Sequence, residues 1–336
     1  MSDHDTGYAV LDPGAIDSPE AEFALHVLVG LSERPKRLSS RFFYDDRGSE
    51  LFAAITDQPE YYLTAAEQEI LEAHRARITG MVADAAFDLV DLGAGDGRKT
   101  FTVIEHLVTS RADFRYVPID ISAGAMKTVV SRTRARFPEV EVAGLVSEYF
   151  RGIRWLSQEH ARRSLVLFLG SNIGNFGRGQ AREFLRRLWN ALRPNDYVLI
   201  GFDLKKDIDT LLLAYNDPAG KTAAFNLNLL ARINAQLGAN FKLDAFQHYS
   251  TYNVLNGAME SYLVSREAQT VWIEQLQRTF AFQPFEAIHT EYSYKYLLED
   301  IEGLAAETGF AVEATFFDDE RRFCDALWRV EKSNRA

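Results

Sequence analysis

The 336-residue chain carries 48 acidic and 37 basic side chains, a formal charge of −11, and 47% apolar residues. That is enough apolar mass for one large core or two ordinary ones, and the acidic balance, with no Lys/Arg run to track a polyanion, argues against nucleic acid or an anionic membrane as partner. The single cysteine, Cys324, cannot close an internal disulfide, so a reducing cytoplasm fits, and neither an export signal nor a run of about 18 apolar residues is visible.

Residues 1–20, rich in Asp, Gly, Pro and Ser, read as a flexible tail. A helical pattern follows from Pro19 to Thr79, interrupted by turn chemistry at Arg34-Pro35 and around Asp57-Gln58-Pro59. Short apolar runs then alternate with amphipathic ones. Phe87 to Asp91, Phe114 to Ile121, Val140 to Val146, Ser164 to Leu169 and Tyr197 to Phe202 read as buried strands; Phe101, Ile104, Leu107 and Val108, like Phe184, Leu185, Leu188 and Leu192, fall at helical spacing. The alternation predicts an α/β, doubly wound (Rossmann-like) fold with a parallel sheet covered on both faces.

After Asp203 the rhythm changes. Helical patterns (Leu211 to Ala214, Phe225 to Leu237) and alternating segments near Tyr252 to Val264 make a stretch too long for one crossover. With the helical preface it is expected to form a second, α+β lobe over the carboxyl ends of the strands. The tail closes with a helix, Leu297 to Thr308, stopped by Gly309, and a hairpin of Ala311 to Phe317 and Phe323 to Val330. The expected division is a tail at 1–20, a substrate lobe at 21–65 and 205–290, and a cofactor domain at 66–204 and 291–336.

The strand ending Val90-Asp91-Leu92 runs into Gly93-Ala-Gly-Asp-Gly97, and helical residues begin at once. Alternate glycines let the backbone approach a ligand beside the free N–H groups of a first helical turn. Three readings fit: an ordinary strand-to-helix turn, a nucleotide loop of another sort, or an S-adenosylmethionine (SAM) loop. The Gly-x-Gly-x-Gly spacing and the nearby Asp91, unwelcome to a pyrophosphate but suited to a sulfonium and an amine, favour SAM. Asp120 ends the next strand, placed to accept two ribose hydroxyls in either a dinucleotide or a SAM site. Glu148 and Tyr149, ending the third, are candidates for the adenine amino group and ring. The fourth strand ends in Gly170-Ser-Asn-Ile-Gly-Asn175, a tight turn at the crevice where such sheets bind ligands; Asn175 either supports the turn or, donating and accepting at once, receives a zwitterion. In His289-Thr-Glu-Tyr-Ser-Tyr-Lys-Tyr296, alternation puts Glu291, Ser293 and Lys295 on one face and Tyr292, Tyr294 and Tyr296 on the other, so that Glu291 and Ser293 either grip one polar ring or belong to an exposed strand with a cross-strand ion pair. The histidines lack metal-ligand spacing, and no metal is expected.

The segments RFFYDDRGSELFAAIT, QPEYYLTAAE, DLGAGDGRKT, VPIDIS, LFLGSNIGN, AYNDPAGKTAAFN and HTEYSYKY together resemble the histidine Nα-methyltransferases of ergothioneine biosynthesis, in order and from about Glu22 to Val330. The resemblance implies SAM as methyl donor, used three times to convert L-histidine to its trimethyl betaine, hercynine. It places SAM contacts on Tyr44, Gly93, Lys99, Asp120, Glu148 and Tyr149, and the histidine pocket on Tyr61, Asn175, Tyr215, Met259, Glu291 and Ser293. Asn175, Tyr44 and Tyr61 are the expected catalytic residues: Asn175 aims the amine, and Phe43, Tyr44 and Tyr61 tolerate its growing alkylation. One departure is visible, since Ser147-Glu148-Tyr149 stands where the family usually carries Gly-Asp-Phe. The expected partner is histidine alone, with a monomer favoured. The alternatives are N-methylation of another amino acid or small amine, an NAD-dependent oxidoreductase, and a catalytically silent SAM-binding protein.

Overall fold

The computed structural model describes residues 8–10, 19–156, 158 and 162–332, and the chain divides into two compact units. The first comprises the described residues of 1–11, 63–205 and 294–336; the second those of 12–62 and 206–293.

The first unit is built on one sheet. Its strands lie in the order Tyr8–Val10, Gly144–Val146, Phe114–Asp120, Phe87–Leu92, Arg163–Phe168, Tyr197–Asp203, Phe323–Val330 and Phe310–Phe317, with Glu141–Val142 also paired to Phe114–Asp120. Pairing is parallel from the first through Tyr197–Asp203, and the last two strands are antiparallel. Phe87–Leu92 is buried at every position, as befits a parallel strand covered on both faces. The helices Arg98–Thr109 and Arg178–Ala191 follow at the expected places, and Val90, Ile119, Phe168, Phe184, Ile200 and Trp328 share one core. This is the expected doubly wound α/β architecture, closed by the hairpin read from the sequence. Cys324 is fully buried in that hairpin, where burial pushes its thiol up to about 12. Leu298–Thr308 ends at Gly309, whose φ of 93° lies in the left-handed region.

Several expectations need correction. Tyr8–Val10, assigned to a flexible tail, pairs in parallel with Gly144–Val146, and Pro19 already opens the helix Pro19–Ser32; the rest of the tail, 1–7 and 11–18, lies outside the described residues. The strand expected over Val140 to Val146 is broken at Ala143 into Glu141–Val142 and Gly144–Val146. The helix Tyr62–Thr79 passes to the first unit from Leu63 onward, because helical periodicity does not reveal which core a helix covers. The last boundary falls at Tyr294 rather than 291, since Ala287–Tyr294 is a continuous strand of the second unit's sheet.

That sheet has the order Lys36–Arg37, Ala287–Tyr294, Ala258–Ser265, Phe246–Asn253. The expected helical stretches appear as Ile208–Tyr215 and Lys221–Leu237, and the long helix shares a core with Phe23, Val27, Phe43, Leu263 and Ile288. An antiparallel pair, Gln269–Ile273 with Arg278–Phe282, was not read from the sequence. Among the described residues, no helix is long and apolar enough to cross a membrane.

Candidate active site

In the first unit the site begins where Phe87–Leu92 ends. Gly93 has a φ of 79° and Gly95 a φ of 54°, values that glycine adopts without a Cβ penalty. A Cβ on Gly93 would come within 2.8 Å of the Tyr149 hydroxyl, whereas one on Gly95 would meet no atom within 4 Å. The loop is therefore packed from below at Gly93 and open at Gly95, a cradle that suits a ligand lying along the backbone.

Asp120 secures this loop. Its carboxylate accepts the Gly95 N–H at 2.9 Å and the Ser122 N–H at 2.9 Å. Burial raises its pKa, partly offset by those two N–H donors. Each carboxylate oxygen keeps a lone pair for a further donor such as a ribose hydroxyl. Asp91 behaves differently from expectation. It is buried, and its Oδ2 accepts the Thr100 hydroxyl at 2.6 Å and the Tyr116 hydroxyl at 2.9 Å. Desolvation lifts its pKa to about 6 despite these bonds and the charge of Lys99. Asp91 thus braces strand to helix inside the fold; it does not present its charge to a ligand.

Lys99, in the first turn of Arg98–Thr109, forms an ion pair with the buried Glu67. Glu148 faces Arg151 at 3.4 Å. Tyr149 lies edge-on to Phe168, Phe184 and Phe176 at centroid distances of 5.3, 5.9 and 6.3 Å, and its hydroxyl points at the glycine loop. Burial, then the charges of Asp120 and Asp91, raise the pKa of that hydroxyl, which stays protonated. The fourth strand end turns through Gly170 (φ 75°) and Ser171 (φ 56°) into the short helix Asn172–Asn175. The Ser171 hydroxyl accepts the Asp203 N–H at 3.1 Å, and a Cβ on Gly174 would strike the Tyr294 carbonyl at 2.9 Å. Asn175, half-buried at the end of this turn, is held by backbone alone: among the described residues its amide makes no hydrogen bond.

The second unit gathers the aromatic residues. Tyr44 meets Phe52 at 5.6 Å and Phe225 at 5.7 Å, Phe52 meets Tyr61 at 6.3 Å, and Tyr61 meets Tyr215 at 6.4 Å. Phe43 packs at a tilt against Phe225, with centroids 4.6 Å apart. The hydroxyls of Tyr215 and Ser293 lie 2.7 Å apart with both side chains buried. Met259 is buried on Ala258–Ser265, and Glu291 is half-buried on Ala287–Tyr294. The structure therefore brings Tyr44, Tyr61, Tyr215 and Ser293 together through Phe52 and Phe225, which the sequence reading did not single out. A signal existed for both, since Phe52 and Phe225 sit inside two of the quoted segments.

Strict alternation in the last strand fails. His289 and Tyr292 meet with ring centroids 4.1 Å apart and planes tilted by 43°, while the Thr290 hydroxyl donates to Asn226 at 2.8 Å. Odd and even positions share a side, so the pleat is irregular between them. Lys295 is no exposed charge either: fully buried, it pairs with fully buried Asp203 at 2.7 Å.

A family model described as histidine-specific, SAM-dependent methyltransferase matches residues 23–330. The chain is 37% identical over 295 residues to the histidine N-alpha-methyltransferase of Mycolicibacterium smegmatis, covering 88% of this chain and 91% of the relative. It is 38% identical over 270 residues to that of Mycobacterium tuberculosis, covering 80% and 83%. It is also 26% identical over 305 residues to the 4-dimethylallyltryptophan N-methyltransferase easF of Claviceps purpurea, covering 84% and 88%. With the family model spanning nearly the whole chain, this protein belongs to the histidine-specific, SAM-dependent methyltransferases.

Proposed function

We propose that the protein transfers methyl groups from SAM to the α-amino nitrogen of L-histidine, three in succession, yielding hercynine as a step of ergothioneine biosynthesis in the cytoplasm. The observation that carries the substrate is the buried Tyr215–Ser293 hydroxyl pair beside an aromatic cluster, with Ser293 in the strand that also bears Glu291. A carboxylate and hydroxyls suit an imidazole, which presents N–H and a lone pair in one plane. An indole offers its N–H but no ring lone pair, so it would answer only one side of that set.

The open cradle at Gly95 and the free lone pairs of Asp120 fit the methyl donor, with Gly93, Lys99, Asp120, Glu148, Tyr149 and Tyr44 as the residues that hold it. When bound, SAM supplies an electrophilic methyl on a sulfonium, whose sulfur is already a good leaving group. The protein's task is mainly positioning. Asn175 accepts an N–H bond from the unprotonated amine and so aims its lone pair. Phe43, Tyr44 and Tyr61 offer aromatic faces to the alkylated nitrogen, at roughly 0.5 to 2 kcal/mol per good cation–π contact. Tyr61 and Tyr215 address the carboxylate, Met259 forms a wall, and Glu291 with Ser293 grips the imidazole.

Glu291 sets specificity rather than rate in this scheme, because it acts several bonds from the reacting nitrogen. Steady-state kinetics of Glu291→Ala test it. The expected result is a large rise in the KM for histidine with kcat reduced far less; unchanged histidine affinity with collapsed turnover would refute the assignment.

A further inference from the structure

Glu67 closes the segment QPEYYLTAAE on the helix Tyr62–Thr79, where no role was assigned to it above, and it is fully buried. Its carboxylate makes an ion pair with Lys99. It also accepts the Gly170 N–H with both oxygens, at 2.7 and 2.9 Å. Room for this carboxylate comes from Gly201, where a Cβ would collide with Glu67 Oε1. Directly opposite Gly201 on the neighbouring strand stands Asp325, itself fully buried. Burial, followed by the charge of Glu67, holds the Asp325 carboxyl well above the ordinary range. Asp325 is thus the acid that keeps its proton, while the Glu67 carboxyl is met by an ammonium and a backbone amide. Isolating a charge this deeply is costly unless its partners are fixed, so the carboxylate fixes them in turn.

We propose that Glu67 is a positioning residue for methyl transfer, a single buried carboxylate that fixes both Lys99 beside the glycine loop and Gly170 at the start of the turn carrying Asn175. The inference rests on the reading above, in which Lys99 serves SAM and Asn175 serves the amine. Its content is that the two ligand sites share one internal anchor. Moving Glu67 displaces both, although it touches neither ligand.

The test is Glu67→Gln in the full-length protein. Gln replaces one of the two oxygens that accept the Gly170 N–H with a donor, and removes the charge that holds Lys99. Calorimetric titration with SAM counts competent sites and gives their affinity; steady-state kinetics give the KM for histidine and kcat. At one competent site per chain, SAM affinity is expected to weaken at least about tenfold and the histidine KM to rise at least about fivefold. A merely structural role would lower the number of competent sites and leave the affinities of those remaining unchanged. Both constants within twofold of wild type therefore overturn the proposal. If Glu67→Gln does not fold, Lys99→Gln removes the same ion pair from its part-exposed end, and SAM affinity within twofold of wild type is then the overturning result. Wild-type protein binding neither SAM nor histidine would instead bring down the functional reading on which the inference rests.

Discussion

The hydroxyls of Tyr215 and Ser293 meet at 2.7 Å although 78 positions separate them, one closing a helix and the other near the end of a strand. Each is buried, and the two share one hydrogen bond. Ser293→Ala removes that bond, at a cost of about 0.5–1.5 kcal/mol. The expected kinetic result is a histidine KM raised about tenfold with SAM affinity unchanged. Tyr215→Phe should behave alike, and the double variant should cost less than the two singles together, as contacting residues do. Equal losses for both ligands would contradict the pairing's role.

The glycine loop yields a graded prediction. Gly95→Ala places its Cβ in open space, so folding stability should drop only by about 1–2 kcal/mol for the left-handed backbone, while SAM affinity falls at least tenfold. Gly93→Ala adds a collision with the Tyr149 hydroxyl and should lose stability as well as affinity. Thermal melting beside SAM titration separates the two variants.

Asp91 gives the fold a pH signature. Its folded pKa of about 6 stands above the ordinary 3.8, so between those values the folded state holds a proton that the unfolded chain releases. Stability therefore falls as pH rises through that window, by roughly 3 kcal/mol, and stays level above it. Relative to Asp91→Asn, the wild type should lose that amount between pH 4 and 7 in urea unfolding; a constant difference would refute it.

The Lys295–Asp203 pair makes a prediction about architecture. Removing one charge, as in Asp203→Asn, takes away the carboxylate that faces a buried ammonium and should cost about 3–5 kcal/mol. Replacing both residues with apolar ones should recover much of that loss in the same unfolding measurement.

These features were unequally legible in the sequence. The parallel strands announce themselves because burial on both faces makes each a continuous apolar run, and the helix after Gly97 because Phe101, Ile104 and Leu107 repeat at helical spacing. Asp91 misled for a physical reason: an acid two positions before a glycine loop reads as ligand-facing until Tyr116, 25 positions on, claims its oxygen. Glu67 was silent for a similar reason. It is one of three acids on its helix, with Glu69 and Glu72, and its partners Lys99 and Gly170 lie 32 and 103 positions away. The pair Gln269–Ile273 and Arg278–Phe282 was missed because its buried positions, Val271, Ile273, Phe280 and Phe282, alternate with exposed or half-exposed ones in strands of 5 residues each, too short to signal a period.

The central claim is that histidine's α-amino group receives the methyl. Incubating the purified protein with SAM and an equimolar mixture of amino acids, tryptophan included, and following methylated products by mass spectrometry tests it most directly. The account predicts mono-, di- and then trimethylated histidine, with S-adenosylhomocysteine formed in step and every other amino acid untouched. Methylation of another amino acid with histidine unchanged would contradict the substrate while sparing the cofactor, and binding of both ligands without any S-adenosylhomocysteine would contradict the enzyme.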